Sequence, residues 1–314
     1  MTIILNMLQL TVSFSVALLL ASLGEMFNQR SGVFNLGCEG QMAMGAFIGM
    51  MIVYFAEKGG HYSLWFDFLG FVAAALIGAL FGLFFGLVVV TFRAPQGIAG
   101  IGFQMFGVGV AGTLFRHYVG GVQNIKGVVS HGIPGLRSIP VIGPILFSHN
   151  AVVYLAYLCV PLSYYILFKT PWGLKVRACG THPRAADSMG INVTRIRYEA
   201  LALGGALAGI AGAYLSLAQA HLFNDTIISG RGFIAVALVY FGHWHPVQIM
   251  GGAMLFTLAQ TFQAQVQSSG ITFPYEFAVM LPYILVIVVL AFTSKNNKMS
   301  PTSLGKPFNR EQRT

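Results

Sequence analysis

Four stretches of this chain, 1–23, 68–92, 151–168 and 277–294, contain no charged side chain, and each can supply most of a membrane crossing. About 20 helical residues span a hydrocarbon core at 1.5 Å per residue. Only 9% of the 314 residues are charged and 56% are hydrophobic, whereas soluble domains carry about a quarter charged residues. A soluble protein of this composition would expose large apolar patches and aggregate. A transmembrane β-barrel needs segments of about ten residues with alternating polarity, and the blocks here are continuous. The chain therefore reads as all-α, a polytopic transmembrane helical bundle. The first block lacks a basic leader and a small-residue cleavage site, so it is expected to be the first helix rather than a signal peptide.

Crossings are expected at 3–24, 34–56, 68–92, 97–117, 151–169, 197–220, 231–243, 246–267 and 276–294, about nine in all (8–10). The fourth is rich in glycine and the seventh is short, so either could be a half-helix or a re-entrant piece. Such pieces survive only where protein or a watery cavity surrounds them. Residues 1–294 form the membrane domain, with a basic loop at 170–197, and 295–314 form a polar tail that is expected to be mobile.

The net charge of +9 would point to nucleic acid in a soluble protein. In a chain of this kind it orients the spans within the lipid, because Lys and Arg collect on the cytoplasmic side. Lys169, Lys175, Arg177, Arg184, Arg195 and Arg197 crowd one loop, and Lys295, Lys298, Lys306, Arg310 and Arg313 mark the tail. Both segments are expected to be cytoplasmic, and the long loop 118–150 to lie outside. Gly78, Gly82 and Gly86, and later Gly205, Gly209 and Gly212, have the spacing that lets helix backbones approach closely in lipid.

Catalysis is not expected. The sequence contains no phosphate-binding G-x-x-x-x-G-K-[ST] loop, and neither a carboxylate pair nor a Ser-His-Asp set stands out. Cys38, Cys159 and Cys179 lack metal-ligand spacing, and His243 and His245 are more simply loop residues, so no metal or other cofactor is expected.

The basic loop is too rich in punctuation to be a simple turn. Gly173 and Gly180 break it up. Pro183 suits a first helical turn with Thr181 as its N-cap, and Gly190 with Ile191 and Asn192 supplies a stop. A short helix over 184–189 follows. Few ionisable groups fall inside the expected spans, among them Glu39, Glu276 and Arg231 near span starts. Glu39 sits in a polar cluster with Asn35 and Gln41 at a helix start. It either lines a path or is a carboxylate favoured by the helix N-terminus. Gln104, between Phe103 and Phe106, either meets a base or sugar or bonds another helix.

The loop residues Gly173, Arg177, Ala178, Gly180, Pro183, Ala185, Ala186, Gly190, Ile191 and Asn192 fit the pattern G-x-x-x-R-A-x-G-x-x-P-x-A-A-x-x-x-G-I-N. This resembles the cytoplasmic signature of bacterial ABC importer permeases of the ribose, nucleoside and branched-chain amino-acid group. Arg30-Ser31-Gly32-Val33-Phe34-Asn35-Leu36-Gly37-Cys38-Glu39-Gly40 resembles a second stretch of the simple-sugar and nucleoside branch, with Gln29 where an acid is usual. Gly230-Arg231-Gly232-Phe233 through Pro246 resembles a third.

The resemblance implies a type II-like importer permease in the bacterial inner membrane with a cytoplasmic C-terminus. Two permease subunits, unlike rather than identical, would form the pore. Separate ATPase subunits would power it, and an extracytoplasmic lipid-anchored binding protein would deliver substrate. Residues 177–190, with Arg184 and Asp187 among them, would form the coupling helix on the ATPase. The resemblance marks no substrate site; the residues themselves make Asn35, Glu39, Gln41, Phe103, Gln104 and Phe106 the candidate translocation path. The expected substrate is a nucleoside or related purine or pyrimidine, with a ribose-like sugar or a flavin-like vitamin as alternatives. An ion-coupled transporter or channel is a different class. Scarce intramembrane charge and the coupling-like loop weigh against it, and the breaker-rich fourth segment weighs against a mere scaffold.

Overall fold

The computed structural model describes residues 2–128, 132, 142–268, 280, 284, 287, 288, 291 and 300–309. The described elements are helices: α1 (Thr2–Arg30), α2 (Cys38–Lys58), α3 (Leu64–Gly86), α4 (Gln96–Tyr118), α5 (Ile142–Leu146), α6 (Ala151–Lys169), α7 (Pro171–Thr181), α8 (Pro183–Ser188), α9 (Val193–Tyr214), α10 (Arg231–Phe241) and α11 (Pro246–Ser268). Helices α3 and α9 each continue into a π-helical turn, Leu87–Thr91 and Leu215–Gln219.

Among the described residues, six helices are long and apolar enough to cross a membrane: Ile4–Arg30, Cys38–Lys58, Leu64–Thr91, Gln96–Tyr118, Ala151–Lys169 and Val193–Gln219. The expectation of about nine spans is thus met only in part. The fourth expected span is one unbroken helix of 23 residues, despite its glycines. The seventh is a helix of 11 residues, about 16 Å long and half of a crossing. The eighth, α11, runs antiparallel to α1: the Thr11 and Thr261 hydroxyls are 2.9 Å apart, and Arg30 at the end of α1 donates to the carbonyl of Trp244, just before α11, at 3.1 Å. The expected span 276–294 and Glu276 lie outside the described residues.

Helix α9 is the axis of the bundle, packed by α1, α2 and α3. The two glycine series read from the sequence meet each other here. A Cβ on Gly78 would collide with the Gly205 carbonyl, one on Gly82 with the Leu201 carbonyl, and one on Gly209 with the Ala74 carbonyl. Where lipid supplies no hydrophobic drive between helices, such backbone-to-backbone contact provides the dispersion that holds them. The opposite faces of α3 and α4 keep their large side chains exposed, as Leu76, Leu80, Ile98 and Met105 do.

Helix α2 does not begin where α1 ends. The Ser216 hydroxyl donates to the Ala46 carbonyl at 2.8 Å. The first turn of α2, about 12 Å back along its axis, is therefore level with the middle of α9. Residues 31–37 climb to that depth without helical structure. The expected start of this span at residue 34 is corrected accordingly.

A loop at the hairpin end and a polar loop inside the bundle

Two arrangements concern function. The first is a helical hairpin at the end of the bundle where α1 terminates. The loop 170–197 contains two helices rather than one. Thr170 caps α7, its hydroxyl accepting from Gly173 N–H at 3.1 Å, with Pro171 in the first turn. Thr181 is not the cap of the second helix. It is the last residue of α7, and its hydroxyl turns back to the Arg177 carbonyl at 2.7 Å. His182 takes the cap position before Pro183, without a side-chain cap bond. The stop is as read, with Gly190 at φ +81°, while Asn192 caps α9 by accepting from Arg195 N–H at 2.9 Å.

Gly173 and Gly180 do not punctuate a loop. Both lie inside α7 and are buried, because a Cβ on Gly173 would meet the Ile166 carbonyl and one on Gly180 the Arg30 carbonyl. Helix α7 is thereby pressed onto the ends of α6 and α1. The Arg177 guanidinium lies 5.2 Å from the Phe168 ring centre, a cation–π contact. In α8, Ala186 is buried, whereas Arg184 and Ala185 are exposed, as are Met189 and Gly190 just after it, Met189 by 82%. Asp187 lines a groove of about 730 Å³ with Arg93 and Arg195, and Pro183 and Arg184 line another of about 580 Å³ on the other side. The hairpin thus presents a firmly based, protruding apex. Burial pushes the Cys179 thiol of α7 up to about 11.

The tail is corrected as well. Residues 301–308 are not a free polar extension where they are described: Pro301 and Ser303 are buried, and Phe308 lines both grooves.

The second arrangement is the buried loop 31–37. Its backbone must be satisfied internally at this depth. The Glu25 carboxylate accepts from Asn35 N–H at 3.1 Å, and from the side-chain amides of Asn28 at 2.9 Å and Gln29 at 3.2 Å. Gln96 Oε1 accepts from Phe34 N–H at 2.7 Å. Asn35 Nδ2 donates to Gln41 Oε1 at 3.1 Å. Among the described residues, Asn28 Oδ1, Asn35 Oδ1, Gln41 Nε2 and Gln96 Nε2 are buried without a hydrogen-bond partner. Glu39 points elsewhere: its Oε1 accepts from Gly230 N–H at 2.9 Å, at the N-terminus of α10. From there α10 descends to Trp244, whose indole N–H donates to Gln29 Oε1 at 2.8 Å. Favourable carboxylate–dipole contact explains the pairing of Glu39 with α10.

The structure therefore brings Asn35, Gln41 and Glu25 together and sets Glu39 beside the half-helix. Phe103 joins Phe81, Phe84 and Phe85 in an aromatic cluster. Phe106 stacks on Phe81 but is 52% exposed, and Gln104 is half-buried. Sequence reasoning missed Glu25, Asn28, Gln96 and Arg197. Glu25 lay just past the expected end of the first span, although Glu25, Asn28 and Gln29 at helical spacing next to an apolar block were a readable signal. Asp67, buried in the first turn of α3 and accepting from the Tyr62 hydroxyl at 2.9 Å, was missed too. Buried acids in the bundle are thus more numerous than the sequence reading held.

The profile of the "branched-chain amino acid transport system / permease component" family matches residues 6–290. The chain is 36% identical over 308 residues to the guanosine ABC transporter permease protein NupQ of Bacillus subtilis, covering 95% of this chain and 94% of that protein. It is 34% identical over 297 residues to the nucleoside ABC transporter permease protein NupC of Lactococcus lactis, covering 92% and 93%. It is also 34% identical over 333 residues to the putative glucose ABC transporter permease protein TsgC13 of Haloferax volcanii, covering 98% of each. Weaker matches to NupP and NupB, a further guanosine and a further nucleoside permease protein, come from the first two organisms. No solved structure matches. Membrane-crossing helices, a hairpin built on two close-packed glycines and a profile match spanning nearly the whole length agree, and the chain belongs to the family of branched-chain amino acid transport system permease components.

Proposed function

We propose that this permease is the membrane-spanning subunit of an ATP-driven importer of nucleosides, with the α7–α8 hairpin as the point where separate ATPase subunits act. The observation that carries this reading is the hairpin itself. Its base is clamped by the Gly173 and Gly180 contacts, while Arg184, Ala185 and Met189 protrude. A firmly held apex moves the helices it is attached to when a partner pushes it, and α8 leads directly into α9, the axis of the bundle. On this reading the hairpin end and the tail are cytoplasmic, in keeping with their basic residues.

The Asn35–Gln41 pair, Glu39 and the half-helix α10 form the polar part of the path, with Phe103, Gln104 and Phe106 beside them. Buried amide groups without partners suit the hydroxyls and ring edges of a nucleoside better than an ion. Half-helices whose ends meet at depth are a recurring way to build such sites. The nucleoside assignment rests on the guanosine and nucleoside permeases among the relatives. A sugar is the second reading, favoured by the glucose permease of similar identity. Two different permease proteins from each of two organisms match the chain, which favours a non-identical second permease as the partner, and a lipid-anchored binding protein would supply substrate.

The test is uptake of labelled guanosine, cytidine and glucose into cells expressing the chain with the transport genes beside its own. The expected result is nucleoside uptake that stops on ATP depletion. Uptake that survives ATP depletion and collapses with the ion gradient would sink the importer reading. Uptake of glucose alone would move the substrate to sugars.

A further inference from the structure

The tail 301–308 joins elements that the sequence keeps far apart. On one side it binds α7: Ser303 N–H donates to the Gly180 carbonyl at 3.1 Å, the Ser303 hydroxyl reaches the carbonyls of Gly180 (2.5 Å) and Cys179 (3.3 Å), and the Thr302 hydroxyl bonds the Thr181 carbonyl. On the other side Gly305 N–H donates to the Gly32 carbonyl at 3.2 Å, in the buried loop 31–37. Arg197, in the first turns of α9 and 1% exposed, completes the arrangement. Its Nε donates to the Ser31 carbonyl and its Nη1 to the Lys306 carbonyl, both at 3.3 Å.

The loop is therefore held from two directions. The carbonyls of Ser31 and Gly32 are held by Arg197 and the tail, and the amides of Phe34 and Asn35 by Gln96 and Glu25. Displacing the tail would draw on Ser31 and Gly32, four and three residues before Asn35. Burying an arginine and ordering a polar tail both cost free energy. Here that cost goes into contacts that converge on the hairpin, the loop and α9.

We propose that residues 301–308, together with Arg197, form a positioning strap that yokes the α7–α8 hairpin to the buried loop. A push on α8 then reaches Asn35 and Gln41 as well as α9. This rests on the reading above that ATPase action enters through the hairpin. The strap touches no substrate, and its role is to keep the polar pair in register with the hairpin.

The test uses the whole transporter in proteoliposomes, with uptake and ATP hydrolysis measured on the same preparation. Gly305→Pro removes the N–H that meets Gly32 and cannot adopt the φ of +77°. Arg197→Gln removes the fork between Ser31 and Lys306, and Arg197→Lys retains charge without the fork. The expected result is hydrolysis close to that of the parent with uptake per ATP lowered about fivefold or more in Gly305→Pro and Arg197→Gln, and an intermediate loss in Arg197→Lys. A parental ratio in these variants, or uptake and hydrolysis falling in proportion, overturns the strap. Gly190→Arg in the same assay separates the two ideas. If its ratio is parental, the hairpin reading fails. If its ratio falls while the strap variants keep theirs, only the strap fails.

Discussion

Replacing Glu25 tests how the buried loop is held. Its carboxylate serves three donors, Asn35 N–H and the amides of Asn28 and Gln29, and the residue is 1% exposed. A buried donor left unpartnered costs roughly 1–3 kcal/mol. In Glu25→Ala the two side-chain amides can turn to other acceptors, but Asn35 N–H belongs to the fixed backbone of the loop. The loss should therefore be at least the cost of one orphan donor and reach about 3 kcal/mol or more with the emptied volume added.

Glu25→Gln keeps one oxygen for Asn35 and sets an NH₂ against the remaining amides, so a smaller loss of about 1–2 kcal/mol follows. The assay is thermal unfolding of the detergent-purified transporter, followed by fluorescence-detected size exclusion. At about 2–4 °C per kcal/mol, the order should be parent, then Glu25→Gln, then Glu25→Ala. Parental stability in Glu25→Ala would refute the claim that this carboxylate satisfies the loop. A glutamine variant less stable than the alanine variant would refute the donor count.

Gly205→Val forces two methyl groups against the backbone of α3 at Gly78. Overpacking of this kind costs about 1–3 kcal/mol or more, and the expected readout is loss of the monodisperse peak, which Ala206→Val, on a half-buried position, should retain. Arg184→Glu reverses charge on the exposed side of α8, so stability should stay within about 0.5 kcal/mol while uptake falls in the transport assay. Cys179 carries its proton well above the ordinary thiol value of 9.0, its pKa raised to about 11 by burial. The neutral thiol is thus the form the fold favours. Its contribution is complete below pH 9 and is lost as pH rises through 11. Maleimide should label Cys179 in the native protein far more slowly at pH 7.5 than in denaturant, and equal rates would contradict its burial.

Membrane residence, helical class and packing faces were legible because each is a property of local composition and spacing. An uncharged block of 23 residues has few alternatives to a helix in lipid, and glycines four apart mark a close approach whatever the partner. That Gly78 and Gly82 would meet Gly205 and Gly209 could not be read, since spacing names a face and not its mate. The hairpin was half legible: Pro183 and Gly190 showed one helix, but the Thr170–Pro171 start of the other passed unnoticed beside the preceding apolar block.

The polar loop was least legible. Asn35, Glu39 and Gln41 look like one cluster in sequence, yet a helical turn sends Glu39 to Gly230 while Asn35 and Gln41 face each other. Their supports, Glu25, Gln96, Arg197 and the tail, come from 10 to some 270 positions away in the chain. By itself the sequence determined that this chain lives in a bilayer as helices and that one basic segment interrupts them. Only the tertiary structure decided that α2 begins deep in the bundle and that Pro301 and Ser303 of a polar tail are buried against it. The reason is that a backbone hydrogen-bonding group hidden from water must find a partner wherever the fold provides one, and no local pattern records where that will be.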